Sequence, residues 1–274
     1  MTLALPPGWA LPAAIEAYKR RQDIASAWRS VLNVIAGKKR HVVVTGMSGA
    51  GKTMLLSALT GAAERRGFRP PERSLGVERA RVQAKEPRRR IALAVVPGQP
   101  GYHRVAAQDD LLLSKKPVDG VVHVVCNGYA AFHAEAVAML RRQGASSLES
   151  LRTYYHDREA EDFKETLDLL RRSWKKHHKP FWMMVAVAKA DLYQEGLPEA
   201  AARYAPGGDG PFIDLLREFQ GRIGSDNFQW DAQPVCSWLE TFTYGDVTIS
   251  PQIDMMKRDH SLAMFASTLE RHCV

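Results

Sequence analysis

Short apolar runs, mostly of β-branched residues, recur along the chain: "HVVVT" at 41–45, "IALAVV" at 91–96, "GVVHVV" at 120–125 and "MMVAVA" at 183–188. Runs that stay apolar without alternating suit strands covered on both faces, so they predict a parallel sheet. Helical spacing fills most of the intervals. Residues 13–36 place Ile15, Tyr18, Ala25, Trp28, Leu32 and Ile35 on one stripe, which predicts a helix ahead of the first strand. "TMLLSALTGAAERRG", 53–67, predicts a helix that runs to Gly67 and closes with Arg65 and Arg66, cations suited to a helix C-terminus. Between 157 and 180, Phe163, Leu167, Leu170 and Trp174 share a face, with Pro180 as the stop. "FIDLLREFQGRI" at 212–223 and residues 254–272 predict two more helices.

This order of elements is that of one α/β domain, a three-layer α/β/α arrangement around a mainly parallel central sheet. The expected division is an N-terminal helical extension at 1–40 and a domain at 41–274, with a helical insertion at about 127–180. No linker or internal repeat interrupts it.

Composition narrows the classes. The chain has 274 residues, of which 45% are hydrophobic, enough for a substantial core. No apolar run approaches the ~20 residues that span a bilayer, so no transmembrane segment is expected. "MTLALPPGWALP" lacks the charged-then-apolar order of a secretory signal, and the cytoplasm is the expected location. Cys126, Cys236 and Cys273 fit neither metal-ligand spacing nor a disulfide framework; they read as reduced, the first two as core residues. The net charge of +8 is spread over separate clusters, Arg88 to Arg90, Lys115 with Lys116, and Arg171 to Lys179, none interleaved with aromatics. A solvated surface is expected rather than a specific nucleic-acid site. The acidic ligand to expect is a nucleotide's phosphates.

The reason is "TGMSGAGKT", 45–53, which follows "HVVV" directly. Gly46, Gly51, Lys52 and Thr53 complete a G-x-x-x-x-G-K-T phosphate loop, set between a predicted strand and a predicted helix as the motif requires. Backbone N–H groups of Ser48, Gly49, Ala50, Gly51, Lys52, Thr53 and Met54 can wrap phosphates, whose charge the following helix N-terminus also favours. Lys52 would neutralise the outer phosphates, and the Thr53 hydroxyl would ligate Mg²⁺.

The base is read elsewhere. "VAVAKADLY", 185–193, ends an apolar strand with Lys189 and Asp191. A carboxylate there accepts from guanine's ring N–H and exocyclic amine, a donor pair that adenine lacks on that edge. The Lys189 methylenes can lie along the ring.

The ordered motifs over roughly 41–240 resemble those of the Ras-like P-loop GTPases, as a divergent member of the translation-factor-related class. The resemblance implies the P-loop NTPase fold. It places Ser74 of "SLGVE", 74–78, as a switch I ligand of Mg²⁺. In "VVPGQPGYHR", 95–104, it makes Gly98 the γ-phosphate sensor and Gln99, with Lys52, a catalytic residue that orients the attacking water. "AKAD", 188–191, stands where the family has N-K-x-D, and "VCSW", 235–238, offers Cys236 and Ser237 as base contacts. Two positions depart from the pattern. Val95 replaces the aspartate that holds Mg²⁺ through water, and Ala188 replaces the asparagine that braces the guanine loop. His103 and Arg104 lie near the switch, with a surface role as the simpler reading. Tyr102 and His123 read as structural.

The implied function is a guanine-nucleotide switch that hydrolyses GTP slowly, with Mg²⁺ as cofactor, GTP and GDP as ligands, and a protein partner at the switch segments or the helical insertion. A pseudo-GTPase scaffold without turnover stays open because of Val95. An ATPase or small-molecule kinase stays open as well, with the basic "RRSWKKHHK" as a lid.

Overall fold

The computed structural model describes residue 9 and residues 41–64, 68, 77–83, 90–97, 101–131 and 139–273. The predicted N-terminal helix at 13–36, and with it the 1–40 extension apart from Trp9, lies outside the described residues, as do Ser74, Gly98 and Gln99.

Six strands form one sheet: β1 (His41–Thr45), β2 (Glu78–Gln83), β3 (Arg90–Val95), β4 (Gly120–Val125), β5 (Phe181–Ala188) and β6 (Phe228–Val235). Their spatial order is β2-β3-β1-β4-β5-β6. Every neighbouring pair is parallel except β2 with β3. The four predicted strands are β1, β3, β4 and β5, the inner four, whose side chains are covered from both sides wherever their burial is described. The two edge strands escaped prediction. "ERARVQ" and "FQWDAQPV" carry polar residues that an interior strand could not bury, and Pro234 is tolerated in β6 because one of its sides pairs with nothing in the sheet.

Alternation along the strands builds two cores. Val42, Val44, Val122, Val124, Met184, Ala186 and Val95 face one layer made by α1 (Lys52–Leu59) and α6 (Met255–Cys273), through Leu55, Leu59, Phe265 and Leu269. Val43, Val121, Val125, Met183, Val185 and Val187 face the other, made by α2 (Tyr102–Leu112), α3 (Leu148–His177), α4 (Leu197–Tyr204) and α5 (Pro211–Ile223). This is the three-layer α/β/α architecture around a mainly parallel sheet that the sequence led us to expect, with the phosphate-loop motif between β1 and α1. A small hairpin, β7 (Phe242–Tyr244) and β8 (Val247–Ile249), lies after β6.

Two helices differ in length from their prediction. α1 stops at Leu59 rather than continuing to Gly67, because Gly61 turns the chain at φ 67. α3 starts at Leu148, nine residues before the predicted start at 157, where Ser147 and Ser150 close a reciprocal capping box. It ends at His178 in the left-handed conformation, two residues ahead of Pro180. Phe163, Leu167 and Leu170 are buried as predicted, with Trp174 packed at the margin. Trp9 is buried and its Nε1 donates to Ala232 O at 2.9 Å, which fastens that point of the N-terminal segment to β6. Among the described residues no helix is long and apolar enough to cross a membrane.

Candidate functional site

The phosphate loop leaves β1 at Gly46 and enters α1 at Lys52. Three of its glycines take positive φ: 128° at Gly46, 75° at Gly49 and 103° at Gly51. At two of them space is decisive as well. A Cβ on Gly46 would lie 2.2 Å from Val124 O, and one on Gly49 2.2 Å from Ala131 O. Gly49 O also accepts from Ala131 N at 3.0 Å, so the segment after β4 floors the loop. The "CNGYAA" turn at 126–131 was not read as part of the site.

That floor has its own brace. Glu159 of α3 is buried, and its Oε1 accepts from Cys126 N at 2.8 Å and Gly128 N at 3.4 Å, while Tyr204 OH donates to Oε2. Burial pushes the Glu159 carboxyl up, and these donors pull against the shift. Cys126 is buried, as expected, and its thiol is pushed well up by burial.

Lys52 is buried and arches back over the loop, donating to Gly46 O and Met47 O at 2.7 Å each. Burial pulls its ammonium down to about 8, with Asp162 opposing the shift. Thr53 Oγ1 donates to Glu78 Oε1 at 2.9 Å. Beneath the loop, Thr45 Oγ1 pairs with His123 Nδ1 at 2.9 Å; burial lowers the His123 imidazole to about 4, so it is neutral there. The structural reading of His123 holds. The surface reading of Arg104 does not: it is buried and ion-paired with Asp162 of α3, a partner 58 positions away in sequence. His103 and Tyr102 are exposed.

The remaining site residues gather around a cavity of about 230 Å³ lined by Gly51, Met54, Ala188, Lys189, Asp191 and Ser237, with Trp238 and the 240–243 segment closing it. Lys189 sits at φ 60, an unusual conformation for a residue with a side chain, and its Nζ donates to Tyr129 O and lies 5.8 Å from the Phe242 ring centre. Burial lowers the Lys189 ammonium and raises the Asp191 carboxyl. Ser237 Oγ is buried with no hydrogen-bond partner. Cys236 behaves differently from Ser237. It is fully buried outside the cavity lining, and its thiol donates to Asp191 Oδ1 at 3.3 Å, so it touches the Asp191 carboxylate rather than the cavity itself. Ala188 is buried and leaves no side-chain polar group to brace this loop; Tyr193 OH, donating to Ala188 O at 2.8 Å, supplies one instead.

The structure thus brings Ser48, Gly49, Ala50, Gly51, Lys52, Thr53 and Met54 into one loop and helix start, and places Lys189, Asp191 and Ser237 beside it. Ser48, Gly49, Gly51, Thr53 and Met54 are partly exposed, while Ala50 is buried beneath them. Sequence reasoning gave no role to Glu78 or Trp238, although they close "SLGVE" and "VCSW", and it missed Tyr129, which belongs to no recognisable spacing.

No protein-family model matches the chain, and no curated protein sequence does. Among solved structures, the signal recognition particle receptor SRb-GTP/SRX complex from Chaetomium thermophilum aligns over 73% of this chain and 94% of its own, at 15% identity and TM-score 0.44. An ADP-ribosylation-factor-like small COPII coat GTPase from Encephalitozoon cuniculi, in complex with GDP, aligns over 81% and 80%, at 13% identity and TM-score 0.41. A bacterial selenocysteine-specific elongation factor aligns over 73% of this chain but 26% of its own length, at 16% identity and TM-score 0.38. Likeness at this level transfers neither a site nor an activity. The fold rests on the strand order and the loop geometry described above.

Proposed function

We propose that this chain binds guanine nucleotide and hydrolyses GTP slowly as a molecular switch in the cytoplasm. The observation that carries the reading is the convergence of Gly51 and Met54 with Lys189, Asp191 and Ser237 around one cavity, three segments that lie far apart in sequence. A nucleotide held there would meet the start of the helix that follows the phosphate-loop motif and the buried Asp191 carboxylate.

The division of labour follows from the side chains. Loop amides and Lys52 would hold the outer phosphates, Asp191 would accept from guanine, and the Lys189 stem and Met54 would pack against the ring. Mg²⁺ fits beside Thr53, whose hydroxyl faces a carboxylate, and when bound it neutralises phosphate charge. Gln99 would orient the attacking water and the Gly98 amide would sense the γ-phosphate. Loss of that phosphate would release the segments around Ser74 and Gly98 and so alter a protein-binding surface.

Isothermal titration of purified protein with GTP, GDP and ATP tests the reading. GTP and GDP should bind at least tenfold more tightly than ATP, on the order of a buried charge-assisted hydrogen bond pair, and Lys52→Ala should abolish most of that affinity. ATP preference would end the proposal.

A second reading, a nucleotide-binding scaffold without turnover, is favoured by Val95, which is buried in an apolar cluster and brings no carboxylate to the phosphate end. Single-turnover hydrolysis separates the two, since an inert binder forms no GDP. The kinase lid loses support. Lys176 and His177 of the basic segment reach Ser114 O, and Lys179 pairs with Asp119, so these side chains fasten the end of α3 to the 113–119 turn.

A further inference from the structure

The substitution of Val95 leaves a specific question: which side chain brings negative charge to the metal position? We propose that Glu78, on the strand paired with Val95, supplies the carboxylate that holds Mg²⁺ against bound nucleotide. The inference rests on the nucleotide-binding reading above and gives a role to the last residue of "SLGVE", in which the resemblance assigned one only to Ser74.

The register is the first ground. β2 runs antiparallel to β3, and Glu78 is the direct cross-strand partner of Val95. Directly opposed residues of an antiparallel pair project from the same face of the sheet. Val95 packs on the side covered by α1, among Val44, Leu55 and Val122. Glu78 therefore leaves the sheet on the side of the phosphate loop, displaced from Val95 by one strand spacing, roughly 5 Å. A carboxylate has longer reach as glutamate than as aspartate, which offsets part of that displacement.

The second ground is contact. Thr53 Oγ1 donates to Glu78 Oε1 at 2.9 Å. Thr53 is the residue whose hydroxyl the phosphate-loop motif assigns to the metal. Glu78 is consequently within one hydrogen bond of the metal-ligating group, and its charge is also felt by Lys52. Mg²⁺ is commonly held by one or two carboxylates together with substrate phosphates and waters, rather than by a protein cage. Consistent with that, no group of three or more His, Cys, Asp or Glu is arranged to hold a metal among the described residues. One hydroxyl and one carboxylate beside a triphosphate make a sufficient protein share. When Mg²⁺ binds the hydroxyl oxygen, the Thr53 hydrogen can still point to Glu78, so the carboxylate acts either on the metal directly or through a bound water.

The experiment compares GTP affinity in excess Mg²⁺ with affinity in EDTA, for wild type, Glu78→Gln and the double variant Glu78→Gln with Val95→Asp. Wild type should bind more tightly in Mg²⁺, and Glu78→Gln should lose roughly tenfold or more of that metal-linked gain. The double variant should recover a large part of it, which a merely structural role for Glu78 would not allow. As a direct readout, the paramagnetic resonance of Mn²⁺ added to the GDP complex should show tight binding in wild type and weak binding in Glu78→Gln, with thermal melting confirming that both are folded. An unchanged Mg²⁺-to-EDTA ratio in Glu78→Gln overturns the assignment. A wild type indifferent to Mg²⁺ overturns it as well. A wild type that binds no guanine nucleotide in either condition instead defeats the functional reading beneath it.

Discussion

The Cys236 thiol donates to Asp191 Oδ1 at 3.3 Å, so the carboxylate that would read the base is held by a weak donor in a buried setting. Burial raises the Asp191 carboxyl while this contact lowers it. Asp191→Asn would exchange an acceptor for an amide, which suits a base with a carbonyl where guanine has its amine. GTP affinity should fall by about 2 kcal/mol, roughly thirtyfold, while xanthosine triphosphate gains. Competition against a fluorescent guanine nucleotide measures both.

Lys52 offers a pH test of the phosphate end. Its ammonium titrates at about 8, and phosphate oxygens placed against it would raise that value. Bound protein then holds more protons than free protein above pH 8. Triphosphate binding should take up protons there, and affinity should fall as pH rises from 8 toward 10. Titration calorimetry in buffers of different ionisation enthalpy reads the uptake, which Lys52→Met should abolish.

His123 governs acid stability. Its folded value is about 4 against the usual 6.5, and burial is the main cause; Asp162 opposes it, while Arg104 and Lys52 add to it. The lowered folded value means that the unfolded chain binds a proton first. The stabilising effect is complete above pH 6.5 and is lost as pH falls toward 4. His156, also at about 4, contributes in the same window. Urea midpoints between pH 7 and 4 should drop steeply for wild type and less steeply for His123→Gln.

The loop glycines separate space from backbone strain. Gly49→Ala pushes a Cβ onto Ala131 O, whereas Gly51→Ala meets nothing closer than the Ala188 Cβ at 3.8 Å and is strained by its φ alone. Gly49→Ala should cost about 3 kcal/mol and abolish nucleotide binding, with Gly51→Ala nearer 1 kcal/mol. Chemical denaturation and nucleotide titration on the same samples check the order.

The buried pair of Arg104 and Asp162 ties α2 to α3. Arg104→Ala alone strands a buried carboxylate and should destabilise by about 3–5 kcal/mol, while Arg104→Met combined with Asp162→Leu should recover most of the loss. Melting of the two variants gives the comparison.

What could be read in advance follows burial symmetry. β1, β4 and β5 lie inside the sheet and are covered twice, so their sequences are apolar but for His41, Thr45 and His123, and they declare themselves. β2 and β6 are edges with polar positions, and their pattern resembles a loop. The phosphate loop was legible because its glycines and lysine are forced locally, by backbone φ and by phosphate chemistry. Glu78 was not, because its relevance comes from the register of β2 against β3, which no local spacing encodes. Arg104 was misplaced for the same reason: its partner sits on a helix 58 residues on. Cys236 was expected to contact the base, whereas its thiol meets Asp191 outside the cavity lining, a difference that depends on which face of the turn carries the thiol.

The two oxygens that hold Lys52 belong to the very loop assigned to phosphate, Gly46 O and Met47 O. A lysine drawn from solvent would have to shed its hydration shell as the ligand arrived. Here dehydration is accomplished when the chain folds, and contact with phosphate exchanges one set of oxygens for another. Under the proposed function, discrimination in favour of a polyanion would thus be installed during folding, and the encounter itself would require little rearrangement of charge.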